Sequence, residues 1–135
     1  MSKRIGRLGM DALRPDLRAS LAARVERLGY LGEFFQCAGH QPDALLAFQA
    51  FTEASKKGLD ERHVELIALT VASRIGNAYE RNQHERLSIR MGFGHDWVER
   101  VEALDPGSSG LDQAERAIQA FTLSAVASHG RGTSS

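Results

Sequence analysis

The sequence predicts an all-α fold, a single-domain bundle of six to seven helices. Three observations predict it. Apolar residues recur at spacings of three and four along most of the chain, residues that start and stop helices punctuate those runs, and no window alternates β-branched residues at period 2. The chain has 135 residues, of which 42% are apolar. That is enough to fill one core without a disulfide or metal staple.

The elements follow in order. Residues 1–13 are polar, rich in Gly and Arg, and read as a flexible N-terminus. The helical domain is placed at 14–127, and the Gly/Ser-rich stretch 128–135 reads as a flexible tail. Leu17, Leu21, Val25 and Leu28 mark one helix face, and Gly29 can end it in the left-handed conformation. Phe34 and Phe35 sit in a short helix before Gly39. Pro42 suits a first helical turn, where its missing N–H costs nothing, and Leu45, Phe48 and Phe51 give that helix an apolar stripe. Asp60 is an N-cap for a central helix whose core face is Val64, Ile67, Ala68, Val71 and Ile75, broadened by Leu66 and Leu69. Gly76-Asn77 breaks it, and a further helix covers Ala78 to Met91. His95 or Asp96 starts a segment with Trp97, Val98 and Val101. A Pro/Gly/Ser loop spans 105–110, and Leu111, Ala114, Ala117, Ile118, Phe121 and Ala125 line the last helix.

Composition excludes several function classes. Lys plus Arg is 17 and Asp plus Glu is 17, so the formal net charge is zero. A nucleic-acid binder would carry a basic patch, so no nucleic-acid partner is expected. The single cysteine, Cys37, permits neither an intramolecular disulfide nor a Cys-rich metal site. No stretch reads as a signal peptide or as the roughly 18–20 apolar residues of a membrane span, so a cytoplasmic location and no membrane partner are expected.

The chemistry concentrates between residues 65 and 84. Two helices meet at Gly76-Asn77. Folded back as a hairpin, they place Glu65 about 11 residues before the turn and His84 about 8 after it. At about 1.5 Å per residue the two heights differ by roughly 4–5 Å, a gap their side chains can close. Glu80 and His84 are i and i+4 and share a face. Two carboxylates beside one imidazole are a minimum set for moving protons near neutral pH. Plainer readings exist for the same residues. Asn77 with Glu80 has the spacing of a capping box, Glu80 with His84 that of a solvated pair, and Glu65 lies near a helix start that favours acids.

The segment GLDERHVELIALTVASRIGNAYERNQHERLSIRMGF resembles the carboxymuconolactone decarboxylase and alkyl-hydroperoxidase D-like family. The similarity covers residues 14–121 and is strongest over 59–93. In the peroxidase branch the helix junction carries Cys-x-x-Cys, then a His with three residues between, and a Glu ahead of it. Glu65 and His84 stand at that Glu and that His, while Asn77 and Glu80 stand at the two cysteines. Peroxide reduction needs both thiols, so that activity is expected to be absent.

What remains is similar to the decarboxylase branch. The resemblance implies a cofactor-independent reaction on a small carboxylated, lactone-like substrate, with no metal. His84 would be the general acid/base, Glu80 would orient it or relay to it, and Glu65 would complete the relay. An anionic substrate needs a cation; Arg74, Arg81 and Arg86 lie near, with Arg81 expected to bind it and Tyr79 to line the site. The resemblance also implies a homo-oligomer, a trimer or hexamer. Relatives continue past the last helix with another apolar helix, whose packing is expected to be missing here.

Rival readings are a non-catalytic oligomeric module of the same fold and a residual peroxide or redox protein acting through Cys37. Cys37 itself, beside Phe34 and Phe35, also reads as a small buried hydrophobe. Metal ligation by His63 with Glu65, Glu80 and His84 is disfavoured, because His63 is about 200° around the helix from Glu65. His40, His95 and His129 stand near helix ends, where capping or solvation accounts for them.

Overall fold

The structure is a computed structural model that describes residues 4–107 and 109–131. Expectations for residues 1–3, 108 and 132–135 lie outside the described residues. Among those described, all regular structure is helical: α1 (Pro15–Leu28), α2 (Glu33–Ala38), α3 (Pro42–Lys56), α4 (Glu61–Ile75), α5 (Ala78–Arg90), α6 (His95–Glu102) and α7 (Gln113–Ala127), preceded by one 3₁₀ turn at Met10–Ala12. The length argued for one core, but the chain divides into two compact units, Met1–Gly58 and Leu59–Ser135. Each has its own cluster of buried apolar side chains.

In the first unit Pro15 opens α1 and Gly29 closes it at φ 84°, as the residue types require. Leu17 and Leu21 of α1 meet Phe35 of α2 and Leu45 of α3. The expectation of a loose stretch over 1–13 is corrected near its end. Leu13 is buried in this core, and Leu8 and Met10 pack against it. Apolar side chains this close to α1 gain more from burial than the backbone loses by being ordered. The apolar stripe of α3 is also corrected. Leu45 is buried, but Phe48 and Phe51 face outward, and the inward place one turn after Leu45 belongs to Gln49. The Gln49 amide oxygen accepts from Arg24 at 3.1 Å, so this buried polar group is satisfied.

In the second unit α4 is central, packed against α5, α6 and α7. The Asp60 carboxylate caps it by accepting the His63 N–H at 2.9 Å. Its fully buried face is shifted from the expected one. Glu65, Leu66, Leu69, Thr70 and Ala72 are buried, whereas Val64, Ile67 and Val71 are half-buried and Ile75 is exposed. Leu66 and Leu69 form the core with Trp97, Val98 and Val101 of α6 and with Leu111.

The last helix turns a polar stripe inward, against expectation. Glu115, Gln119 and Thr122 are buried while Phe121 is 75% exposed. Pairing makes this tolerable. The Trp97 indole N–H donates to Glu115, and the Gln119 amide donates to Thr70 Oγ1 at 3.1 Å and to the Val101 carbonyl at 2.8 Å. The apolar side of α7 instead faces Ile67 and Val71 of α4 across an open groove of about 730 Å³, which also touches Leu59 and His129. Among the described residues no helix is long and apolar enough to cross a membrane.

Candidate active site

The α4–α5 hairpin positions the site. Gly76 ends α4 at φ 73°, a conformation that L side chains rarely adopt. Asn77 then caps α5, its side-chain oxygen accepting the Glu80 N–H at 3.1 Å. Only half of the capping box is present. The Asn77 N–H donates back to Ala72 O at 2.9 Å, so the Glu80 carboxylate is not needed there and extends along its own helix to His84 instead.

The three expected residues come together. His84 Nδ1 lies 2.7 Å from Glu65 Oε2, across the hairpin. A carboxylate only accepts, so Nδ1 carries the hydrogen and donates it, which fixes the ring's orientation and leaves Nε2 as the outward nitrogen. That nitrogen lies 3.5 Å from Glu80 Oε2. Side-chain exposure rises along the row, from 5% at Glu65 to 23% at His84 and 48% at Glu80. The row therefore runs from the interior towards solvent. Such a line can pass a proton in either direction between a buried anchor and an exposed end.

The other named residues are placed as follows. Tyr79 is half-buried beside Glu80. Arg81 is not an unclaimed cation, because its Nε lies 3.3 Å from Glu85 Oε1 on the same helix. Arg74 and Arg86 are exposed. His63 pairs with Asp60 at 3.3 Å rather than with Glu65, and His40 Nε2 contacts the Gly6 carbonyl at 2.7 Å. Cys37 is a free, half-buried thiol in the first unit. Among the described residues no group of three or more His, Cys, Asp or Glu side chains could hold a metal ion.

One feature escaped the sequence reading. Glu102 on α6 meets Glu85 on α5, and its carboxyl is pushed up to about 7, first by burial and then by the hydrogen bond and charge of Glu85, with Arg81 opposing. The i,i+4 spacing of Arg81 and Glu85 was visible in the sequence, but their meeting with Glu102 depends on how α6 packs. The apolar groove between α4 and α7 lies elsewhere, since Ile67 is about 200° around α4 from Glu65. It has one imidazole and no carboxylate in its lining, so it lacks the acid–base set gathered on the Glu65 face.

The model of the carboxymuconolactone decarboxylase family matches residues 42–123, well over half of the chain. Glu65, Glu80 and His84 all fall within the matched region. No curated protein and no solved structure matches the chain.

Proposed function

Because the chain belongs to the carboxymuconolactone decarboxylase family, we propose that it is a cofactor-independent enzyme that moves a proton on a small carboxylated, lactone-like substrate. The observation that supports this is the continuous row from Glu65 through His84 to Glu80. When a carboxylated lactone loses CO₂, the electron pair of the broken C–C bond stays on the ring as an extended enolate. That enolate is discharged by a proton delivered to a remote carbon. In this reading His84 supplies or removes the proton as general acid/base, Glu65 holds the ring in one tautomer, and Glu80 takes part in the relay. Arg81 offers its remaining N–H groups to the substrate carboxylate, and Tyr79 lines the approach. The rival view of a non-catalytic module predicts a solvated His84; a ring bonded to a buried carboxylate favours the catalytic reading.

The test is turnover of carboxylated unsaturated lactones by wild type, His84→Ala and Glu65→Ala. Loss of about 10²–10⁴-fold in kcat is expected in both variants. Equal turnover by all three proteins would overturn the proposal. Self-association into a trimer or hexamer belongs to the same proposal, supported by the uncovered apolar groove beside Phe121. Sedimentation is expected to show a multimer that Phe121→Ser weakens.

A further inference from the structure

The row of three side chains has a direction, and it bears on which group meets the substrate. Glu65 is almost fully buried and held at 2.7 Å, so it is a fixed anchor. Carboxylate oxygens face both ring nitrogens of His84, Glu65 at Nδ1 and Glu80 at Nε2. A substrate atom that reached Nε2 directly would have to take the place of the Glu80 carboxylate. Glu80 differs from its neighbours. Its backbone is fixed by the Asn77 cap, its side chain is half exposed, and its contact with Nε2 at 3.5 Å is longer than a good hydrogen bond. It is thus the outermost and most loosely held of the three.

We infer that Glu80, rather than His84, is the catalytic residue that touches the substrate, and that His84 acts from behind it as a positioning and proton-supplying residue. The inference rests on the proton-transfer reading above and deepens it by assigning the order of the relay. One proton can reside on either Nε2 or Glu80 Oε2 and crosses when their 3.5 Å contact shortens. When it resides on Oε2 the carboxyl group gives it to the substrate's carbanionic carbon, a C–H bond forms, and Glu80 is left as a carboxylate with Nε2 bare. Water then returns one proton to the Nε2–Oε2 pair, the hydroxide left behind adds to the released CO₂ as bicarbonate, and the site is restored. Throughout, the Nδ1 hydrogen stays on the ring and points at Glu65.

Two measurements test this assignment. The first needs no substrate. Diethyl pyrocarbonate is applied at fixed pH, and modification of each histidine is followed by peptide mass mapping, with the exposed His95 as the internal reference. In wild type and Glu80→Gln, where a side chain of the same size still covers Nε2, His84 is expected to react slowly relative to His95. In Glu80→Ala its relative rate is expected to rise several-fold. Equal rates for His84 in wild type and Glu80→Ala would mean that Nε2 is already open to small molecules, and would overturn the assignment.

The second measurement uses turnover of a carboxylated lactone. Glu80→Gln, which keeps the shape but carries no proton, is expected to lose about as much kcat as Glu80→Ala, within the 10²–10⁴-fold range of acid–base groups. Added formate is expected to restore part of the activity of Glu80→Ala and none of that of Glu80→Gln, whose side chain fills the space. Full activity in Glu80→Gln would overturn the assignment while leaving the wider proton-transfer reading intact. That wider reading falls separately, if His84→Ala and Glu65→Ala turn over substrate as wild type does.

Discussion

Glu65 and His84 are 19 residues apart in the chain and 2.7 Å apart in space, joined across a hairpin by a bond between a buried carboxylate and a ring nitrogen. A bond of this kind contributes more than a neutral one, because one partner is charged and little water competes for it. Glu65→Ala removes the acceptor and strands the Nδ1 hydrogen. The expected cost is about 1.5–3 kcal/mol of folding stability, read from urea unfolding. A loss below a few tenths of a kcal/mol would mean that the pair is not formed in solution.

Gly76 permits the hairpin itself. Its φ of 73° is strained for any residue with a Cβ, yet nothing lies within 4 Å of where a Cβ would stand. Gly76→Ala therefore meets a backbone cost alone, of about 1–2 kcal/mol. Gly76→Asn is expected to cost less, since Asn adopts this conformation more readily. Comparing the thermal unfolding midpoints of the two variants checks the order.

The Glu85–Glu102 contact predicts how stability depends on pH. Glu102 titrates at about 7 in the folded chain against an ordinary value of 4.5, because burial and the Glu85 carboxylate both disfavour its charge. The folded state therefore holds a proton that the unfolded state has released over this interval. This group's contribution is fully present below about 4.5 and is lost as pH rises through about 7. Glu102→Gln is expected to flatten that part of the stability profile. The check is the unfolding midpoint of both proteins measured across the interval.

Leu66 is fully buried at the centre of the second unit's core, against Trp97 and Val101. Leu66→Ala is expected to cost about 2–5 kcal/mol, the range for opening a cavity in a packed core. By contrast, Phe51→Ala should change stability by under about 0.5 kcal/mol, since Phe51 is 70% exposed. Urea unfolding of the two variants separates a core position from a surface one that the apolar stripe of α3 would have ranked alike.

Much of this was legible in the residues. Gly29, Pro42, Asp60 and Gly76 set helix ends through local chemistry, and each acts where the sequence placed it. The meeting of Glu65, Glu80 and His84 followed from one turn and two helical spacings, so it too was local enough to read. The errors concern which way a helix faces. In α3 and α7 the inward positions belong to Gln49, Glu115 and Gln119, each of which hydrogen-bonds to residues 18 to 49 positions away. A hydrophobicity pattern ranks such residues as surface because it cannot see their distant partners. The same distance hid the meeting of Glu85 with Glu102.

The inward polar stripe of α7 has a consequence for how that helix seats. A greasy contact tolerates sliding and rotation, because one methyl group substitutes for another at little cost. A keyed contact does not. Turning α7 by one residue would pull the Gln119 amide away from Thr70 and Val101 and drag the Glu115 carboxylate off the Trp97 indole, stranding several dry polar atoms at once. The helix therefore has one admissible seat, and drift at Gln119 or Thr70 over evolutionary time should proceed by paired replacement rather than singly.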